Sequence, residues 1–279
     1  MVKLGIDIGG TTIKGAKFDN MQIVAAFNAP TNGKDGREAI ISSLYQVIDR
    51  LFSNDVTFIG ISSAGNINNI TGCCVYATDN LKGWTGINIK QLIESKYKVE
   101  CKVENDAISA LIGEVSLLNN ATNVTMLTFG TGVGGASIVN GKIVRGNNFN
   151  GGRWGHVPLE IDGLDCNCGS KGCAEQYLSA TALLKYARKF LPHLIDVKEL
   201  FTLYRNDDVI ARQILDRFAK YLNSLLRIIN NSISPDVIIL GGGVAQSKDV
   251  IAKLIDADIQ NVIFAQLGDQ AGIVGASIL

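Results

Sequence analysis

The chain is 279 residues long, with 47% hydrophobic and 19% charged residues, which suits two compact halves at ~100 to 200 residues each and excludes a disordered chain. Lysine plus arginine equals aspartate plus glutamate, 26 against 26, so no overall field draws in nucleic acid or an acidic membrane face. Met1-Val2-Lys3 leads straight into a strand with no apolar signal core, and no later run reaches the ~18 uninterrupted apolar residues of a membrane span, so the expected compartment is the cytoplasm.

Val2 to Ile8 reads as a short apolar strand that breaks at Gly9-Gly10 and resumes from Thr12 to Phe18. A turn at Asp19-Asn20 leads to a third strand, Gln22 to Phe27, completing a meander. Ile40, Ile41, Leu44, Val47, Ile48 and Leu51 at helical spacing predict a helix from Arg37 to Phe52, followed by a strand from Thr57 to Ile61. Val99 to Val103 is a further strand, running into a helix from Ala107 to Leu118. After residue 123 the order returns: Val124 to Phe129 breaks at Gly130-Thr131-Gly132, resumes through Gly135 to Val139, turns at Asn140-Gly141 and continues to Val144. A long helix from Asp208 to Asn230 carries Ile210, Ile214, Phe218, Leu222, Leu225 and Ile229 on one face, and Ser234-Pro235 stops it. Val237 to Leu240 then enters Gly241-Gly242-Gly243. One α/β design therefore occurs twice, with domains expected at 1–120 and 121–268 and a boundary near 118–123. Each half opens with a Gly/Thr turn, and two such turns facing one cleft suggest a nucleotide clamp.

In Asp7-Ile8-Gly9-Gly10-Thr11-Thr12-Ile13-Lys14 the glycines let backbone N–H groups approach phosphate oxygens, Asp7 can hold Mg²⁺ directly or through water, and Thr11, Thr12 and Lys14 add donors. The plain alternative is a tight hairpin whose glycines supply positive φ. Gly130, Gly132 and Gly135 satisfy G-x-G-x-x-G, but a dinucleotide site needs a helix there, and Ala136 to Gly141 alternates into a hairpin. What remains is a second phosphate-facing turn at Thr131 and Gly132, with Gly241, Gly242 and Gly243 as a third close approach toward a nucleoside. Simple turn chemistry is the alternative for either glycine run. Asn105-Asp106 lies at a strand-to-helix junction, where Asp106 can take a hydroxyl proton and Asn105 can fix a substrate; the alternative is that one of them merely caps the helix. His193 follows Pro192 in a polar stretch and reads as surface.

His156, Cys166, Cys168 and Cys173 give H-x9-C-x-C-x4-C, three soft thiolates and an imidazole that suit tetrahedral Zn²⁺ with no open position, hence a structural loop over about 156–173. Reduced cysteines packed in a loop are the alternative. Cys73, Cys74 and Cys101 sit in strand-like stretches and read as small buried hydrophobes.

D-I-G-G-T-x-x-K at 7–14, N-L-K-G-W at 80–84, E-N-D-A at 104–107, G-T-G-V-G-G at 130–135, G-H at 155–156, C-x-C-G-x-x-G-C-x-E at 166–175, G-G-G at 241–243 and G-D-Q-A-G-I-V-G-A at 268–276 together resemble the ROK family of bacterial sugar kinases over essentially the whole chain. The resemblance implies an actin-like fold of two RNase H-like domains with ATP bound between them. It also implies Asp106 as catalytic base and phosphate transfer to a hexose 6-hydroxyl. Sugar hydroxyls would be held by Asn105, Asp106, His156 and Glu175, with Asn80 and Gly65 lining the sugar site. A last helix from about 269 would pack back on the N-terminal domain, and a homodimer is the family expectation. Two positions depart from the family pattern. Its usual E-x-G-H is Arg153-Trp154-Gly155-His156 here, replacing an acceptor carboxylate near the sugar with a donor-only guanidinium. Ser63-Ala64-Gly65 lacks the proline common before that glycine. Glucose is the family default, with N-acetylmannosamine, fructose, allose and β-glucosides as other options. Two alternatives are a family repressor, which carries a helix-turn-helix ahead of the Asp7 loop where six residues stand here, and a non-catalytic sugar or nucleotide sensor.

Overall fold

A computed structural model describes all residues, 1–279, in two compact units. The first comprises Met1–Asn119, Arg145–Asn150 and Asp269–Leu279; the second comprises Asn120–Val144 and Gly151–Gly268. The return of 145–150 to the first unit differs from the single crossing near 118–123 expected from the sequence. Its cause is polar anchoring: the Arg145 guanidinium donates to Glu104 and Asn66 Nδ2 donates to Asn150, neither of which has a periodic sequence signature.

In the first unit the strands are β1 (Val2–Ile8), β2 (Thr12–Asp19) and β3 (Gln22–Pro30), followed by helix α1 (Arg37–Leu51) and β4 (Val56–Ser63). A ribbon of β5 (Asn66–Asn68) and β6 (Cys73–Tyr76), helix α2 (Ile89–Tyr97), strand β7 (Glu100–Asn105) and helix α3 (Asp106–Val115) complete it. Sheet order is β3-β2-β1-β4-β7, antiparallel through the meander and parallel from β1 to β7. The loop between β2 and β3 is Asn20-Met21, with φ of 45° and 65°, one residue later than expected. Both residues are left-handed, as a two-residue hairpin that follows the strand twist requires. Alternate residues of β1 split the two faces: Leu4, Ile6 and Ile8 join Ile40, Leu44, Val47 and Ile48 of α1 in one apolar core.

The second unit repeats the plan. Strands β8 (Val124–Phe129), β9 (Val133–Val139) and the short β10 (Lys142–Ile143) form its meander, and helices α4 (Glu175–Leu178), α5 (Ala180–Ala187), α6 (Val197–Arg205) and α7 (Val209–Ile233) follow. Strand β11 (Val237–Gly241), helix α8 (Lys248–Leu254) and strand β12 (Val262–Phe264) give the order β10-β9-β8-β11-β12, the same as in the first sheet. Asp208 caps α7 by accepting from Ala211 N–H, Ser234 ends it with φ of 49°, and the apolar stripe is buried from Ile214 to Ile229, whereas Ile210, expected on the same face, is exposed in the first turn. Two sheets of this order, each a meander continued by parallel strands, make the actin-like α/β fold. No helix is long and apolar enough to cross a membrane.

The last helix, α9 (Ala271–Ser277), follows a 3₁₀ turn at Gly268–Gln270 and belongs to the first unit. It docks on the sheet face opposite α1, where Gly5 of β1 and Gly60 of β4 are register partners, and α3 lies against it through Gly113 and Gly275. A Cβ on Gly60 would lie 1.7 Å from the Ala276 carbonyl oxygen, and one on Gly275 would lie 1.7 Å from Ser109 O. Backbone meets backbone here because no side chain intervenes. Gly60→Ala is therefore expected to cost about 3 kcal/mol of unfolding free energy by overpacking, seen as a lower urea midpoint at unchanged slope. An unchanged midpoint would mean that α9 is not seated against β4.

Candidate active site

The sheet of the first unit carries a polar row across its α9 face. Lys14 of β2 is register partner of Asp7 on β1, Asp7 of Ser62 on β4, and Ser62 of Glu104 on β7. Ser62 Oγ donates to Asp7 Oδ1 at 2.6 Å, while Asp7 Oδ2 accepts no hydrogen bond from the chain. Burial raises the Asp7 carboxyl above its ordinary range, against the Ser62 hydrogen bond and the Lys14 charge, which lower it. Beyond Asp7 the chain turns with Gly9 N–H donating to Thr12 O at 3.1 Å, and Thr31 Oγ1 donates to Gly9 O at 2.7 Å. Gly10 and Thr11 at the tip are exposed, and their N–H groups have no acceptor in the chain. Exposed Asn80, on the 3₁₀ turn Asp79–Leu81, lies beside Gly10: a methyl on that glycine would be 3.8 Å from Asn80 Cβ.

Two residues past Glu104, β7 passes directly into α3. Asn105 is the cap: its Oδ1 accepts from the N–H of Ala107 at 3.0 Å and of Ile108 at 3.2 Å. Its Nδ2 donates to Gly65 O at 2.9 Å and to Asp106 Oδ1 at 2.7 Å. The amide thus has intrachain partners at both its nitrogen and its oxygen, and through them Asn105 fixes Asp106 and the Gly65 loop. Asp106 Oδ1 also accepts from Ala107 N–H at 2.8 Å, leaving Oδ2 with no partner in the chain. Burial, then the like charge of Asp7, push the Asp106 carboxyl up to about 6, although Ala107 N–H and Asn105 pull the other way. A carboxylate with one oxygen held, one oxygen free and its titration near neutrality is suited to accept a proton. Glu104 is buried at 2% exposure; its Oε1 accepts the Asn105 N–H at 3.0 Å and its Oε2 accepts from Arg145 Nε at 3.0 Å.

In the second unit the turn between β8 and β9 is closed by Gly130 N–H donating to Gly132 O at 2.9 Å, and Thr131 is exposed at its tip. Glu175, at the start of α4, accepts the Val133 N–H on Oε2 at 2.9 Å, which plants this carboxylate on the glycine turn. After β11, Gly242 adopts φ of 84° and lies so close to Phe129 that a Cβ would come within 2.5 Å of its carbonyl oxygen. Gly242 is therefore required by the turn itself, and Gly241 packs against Met126 and Ala265; only Gly243 has open space beside it.

Ligand atoms of His156, Cys166, Cys168 and Cys173 all lie within 4.8 Å of one another. Cys168 Sγ is 3.5 Å from Cys173 Sγ, and Cys166 Sγ is 3.7 Å from His156 Nδ1. A tetrahedron of ~2.3 Å bonds has edges of about 3.8 Å, whereas a disulfide needs about 2.05 Å, so this Cys₃His set fits a structural zinc and no disulfide. Burial, with Arg153 beside it, lowers the His156 imidazole from its ordinary range, which keeps it in the neutral form that ligates. Stacking of Tyr177 on Tyr221 of α7, 4.2 Å between ring centroids, ties the loop down, as does the Leu164 N–H donating to Tyr177 Oη at 3.0 Å. Arg153 is exposed, its carbonyl oxygen accepts from the His156 N–H at 3.0 Å while its guanidinium makes no ion pair or hydrogen bond, and His193 is exposed. Of the residues that shape these sites, Ser62 escaped sequence reading although a serine pair in the apolar strand Val56–Ser63 was a usable signal. Arg145 had no such signal.

The ROK family model matches residues 3–279. A glucokinase of Halalkalibacterium halodurans is 31% identical, with 99% of this chain and 94% of that protein aligned. A ROK family glucokinase from Streptomyces griseus, solved with glucose and AMPPNP, superposes with a TM-score of 0.82 at 28% identity over 100% of this chain and 98% of that one. The xylose repressor of Bacillus subtilis is 26% identical over 99% of this chain and 73% of its own length. With a match that spans both units and every motif described above, the chain belongs to the ROK family.

Proposed function

We propose that the protein is an ATP-dependent hexose kinase that transfers the γ-phosphoryl group to a sugar hydroxyl, with glucose-type sugars and the primary 6-hydroxyl as the first expectation. The observation that carries this reading is Asp106, whose free oxygen and titration near pH 6 match a general base. In the reaction Asp106 Oδ2 takes the hydroxyl proton, the sugar oxygen bonds to the γ-phosphorus, and the bond to the β-phosphate oxygen breaks to release ADP. Asn105 holds the base in place through Nδ2. The open N–H groups of Gly10 and Thr11, the hydroxyls of Thr11 and Thr12, and Lys14 are assigned to phosphates in the first unit. Thr131 and Gly132 are assigned to phosphates in the second, and the Gly241–Gly243 turn to the nucleoside.

The donors around Asp7 are oxygens, a hard set that fits Mg²⁺ and not a soft metal, and Asp7 Oδ2 is free to reach the ion directly or through water. Bound there, Mg²⁺ would neutralise charge on the transferring phosphates. Zinc is assigned to the Cys₃His set; with His156 Nδ1 facing the thiolates, Nε2 is left for a sugar hydroxyl. Glu175 and Gly65 are assigned to the sugar with Asn80 and Arg153. The Glu175 Oε1 atom supports this, since only Oε2 is spent on the Val133 N–H. Gly65 O is already taken by Asn105, so its part is backbone shape. Arg153 can only donate, which favours a substrate bearing an acceptor or anionic substituent there. It also supports a second reading, a sugar sensor without turnover, alongside the likeness to a repressor.

An ATP-coupled screen across hexoses, N-acetylhexosamines and β-glucosides is expected to give turnover on at least one sugar, with Asp106→Asn lowering kcat about 10²- to 10⁴-fold at little change in sugar affinity. Binding without turnover on any sugar would favour the sensor. Because the base must be ionised, kcat/KM is expected to fall as pH drops through about 6 and to level off above it; a rate flat down to pH 4.5 would exclude Asp106 as the base. For the metal, elemental analysis is expected to find one zinc per chain, lost in Cys168→Ser together with a fall in Tm. Retention of wild-type Tm without zinc would contradict a structural site.

A further inference from the structure

The glycines buried under α9 differ in what their missing side chains make room for. At Gly5, Gly60, Gly113 and Gly275 a Cβ would strike backbone of a neighbouring element, with Ile273 O, Ala276 O, Ala271 O and Ser109 O as the nearest atoms. Those four let the helix dock. Gly272 is different: its Cβ would meet the Asp7 carboxyl and nothing nearer, at 3.0 Å from Cγ, 3.0 Å from Oδ1 and 3.2 Å from Oδ2. These separations are tighter than ordinary van der Waals contact, so an added methyl would displace the carboxylate by a few tenths of an ångström or rotate it away from Ser62. The helix backbone is therefore one wall of the Asp7 site, with Ser62 fixing Oδ1 from β4 and Lys14 standing opposite on β2. One turn earlier, Asp269 pairs with Lys14 at 3.9 Å, so the same C-terminal segment touches both Lys14 and Asp7 of the row.

We propose that Gly272 is a positioning residue for Asp7: the C-terminal helix, through this one missing side chain, sets where the carboxylate stands and leaves Oδ2 free to face the nucleotide's divalent cation. The inference rests on the kinase reading, in which Asp7 serves that cation. It separates Gly272 from the docking glycines, since its role is to admit a side chain of the site and not a neighbouring backbone. It also gives the segment after β12 a part in the chemistry, although it lies more than 260 residues from Asp7 in the chain.

The test uses the full chain and Mn²⁺ with AMPPNP as the probe, read by electron paramagnetic resonance and so independent of turnover. Gly272→Ala is expected to weaken Mn²⁺·AMPPNP binding about ten- to a hundred-fold, the range for loss of an outer-shell support, and to raise the Mg²⁺ concentration needed for half-maximal rate in step. Val274→Ala, which loosens the same helix away from Asp7, is expected to lower Tm without moving the Mn²⁺ affinity. If Gly272→Ala also folds poorly, the double variant Asp7→Ala with Gly272→Ala decides the matter. Removing the carboxyl removes the three atoms nearest the new Cβ, so the double variant is expected to regain the Tm of Asp7→Ala alone. Wild-type Mn²⁺ affinity in Gly272→Ala, or a Tm loss that persists in the double variant, would overturn the proposal. Asp7→Asn keeps the two readings apart: if it binds Mn²⁺·AMPPNP as the wild type does, the metal role of Asp7 fails; if it loses binding while Gly272→Ala does not, only the positioning role fails.

Discussion

Two partly buried carboxyl groups within each other's field set the terms for the rest of the first unit. Asp7 at the end of β1 and Asp106 at the start of α3 are both pushed upward by burial, and the charge of the first adds to the rise of the second. Such a pair is tolerated only where other groups hold it. Ser62 and Lys14 serve Asp7, while Asn105 and the first N–H groups of α3 serve Asp106. Each anchor uses one carboxylate oxygen and leaves the other open. The remaining acid of the row, Glu104, is the most deeply buried, and it is fully engaged by Arg145 and the Asn105 N–H. It serves as support, in line with the rule that a buried charge must be paired.

The same sheet face reconciles close packing with this polarity by alternation along the strand. Gly5 and Gly60 accept the backbone of α9, and two residues further along β1 and β4 the same face presents Asp7 and Ser62. A helix that approaches so closely needs glycine at the points of contact, as at Gly5, Gly60, Gly113 and Gly275, while Ile273 and Val274 of α9 are buried between them. Stability and site geometry thereby share one element. The zinc loop shows a comparable economy in the second unit: the segment that supplies Cys173 leads within two residues to Glu175, whose carboxylate locks the β8–β9 turn.

Legibility in the sequence tracked the range of the interaction. The β1–β2–β3 meander, α1, β8 and α7 were readable because alternation and helical period are local, and Asn140-Gly141 announced its hairpin with φ of 51° and 71°. Short helices α4 to α6 and the β5–β6 ribbon were not, since their burial is decided by distant partners such as Tyr221 for Tyr177. At the site, motif residues with local chemistry were visible: the Cys₃His set converges, and Asn105-Asp106 does sit at the junction. What could not be read was the division of labour between those two, because the amide of Asn105 is engaged by Gly65, 40 residues away, as much as by its own helix. Ser62, Arg145 and Gly272 act across strands or from the far terminus, beyond the reach of spacing.

The most direct measurement is a carbon NMR titration of the Asp106 carboxyl in metal-free protein, repeated in Asp7→Asn. A midpoint near 6 that moves down when the Asp7 charge is removed is the expected result, because burial and that charge are the two causes of the rise. A midpoint at the ordinary value of about 4, or one that does not respond to Asp7→Asn, would contradict a base poised by its buried neighbour.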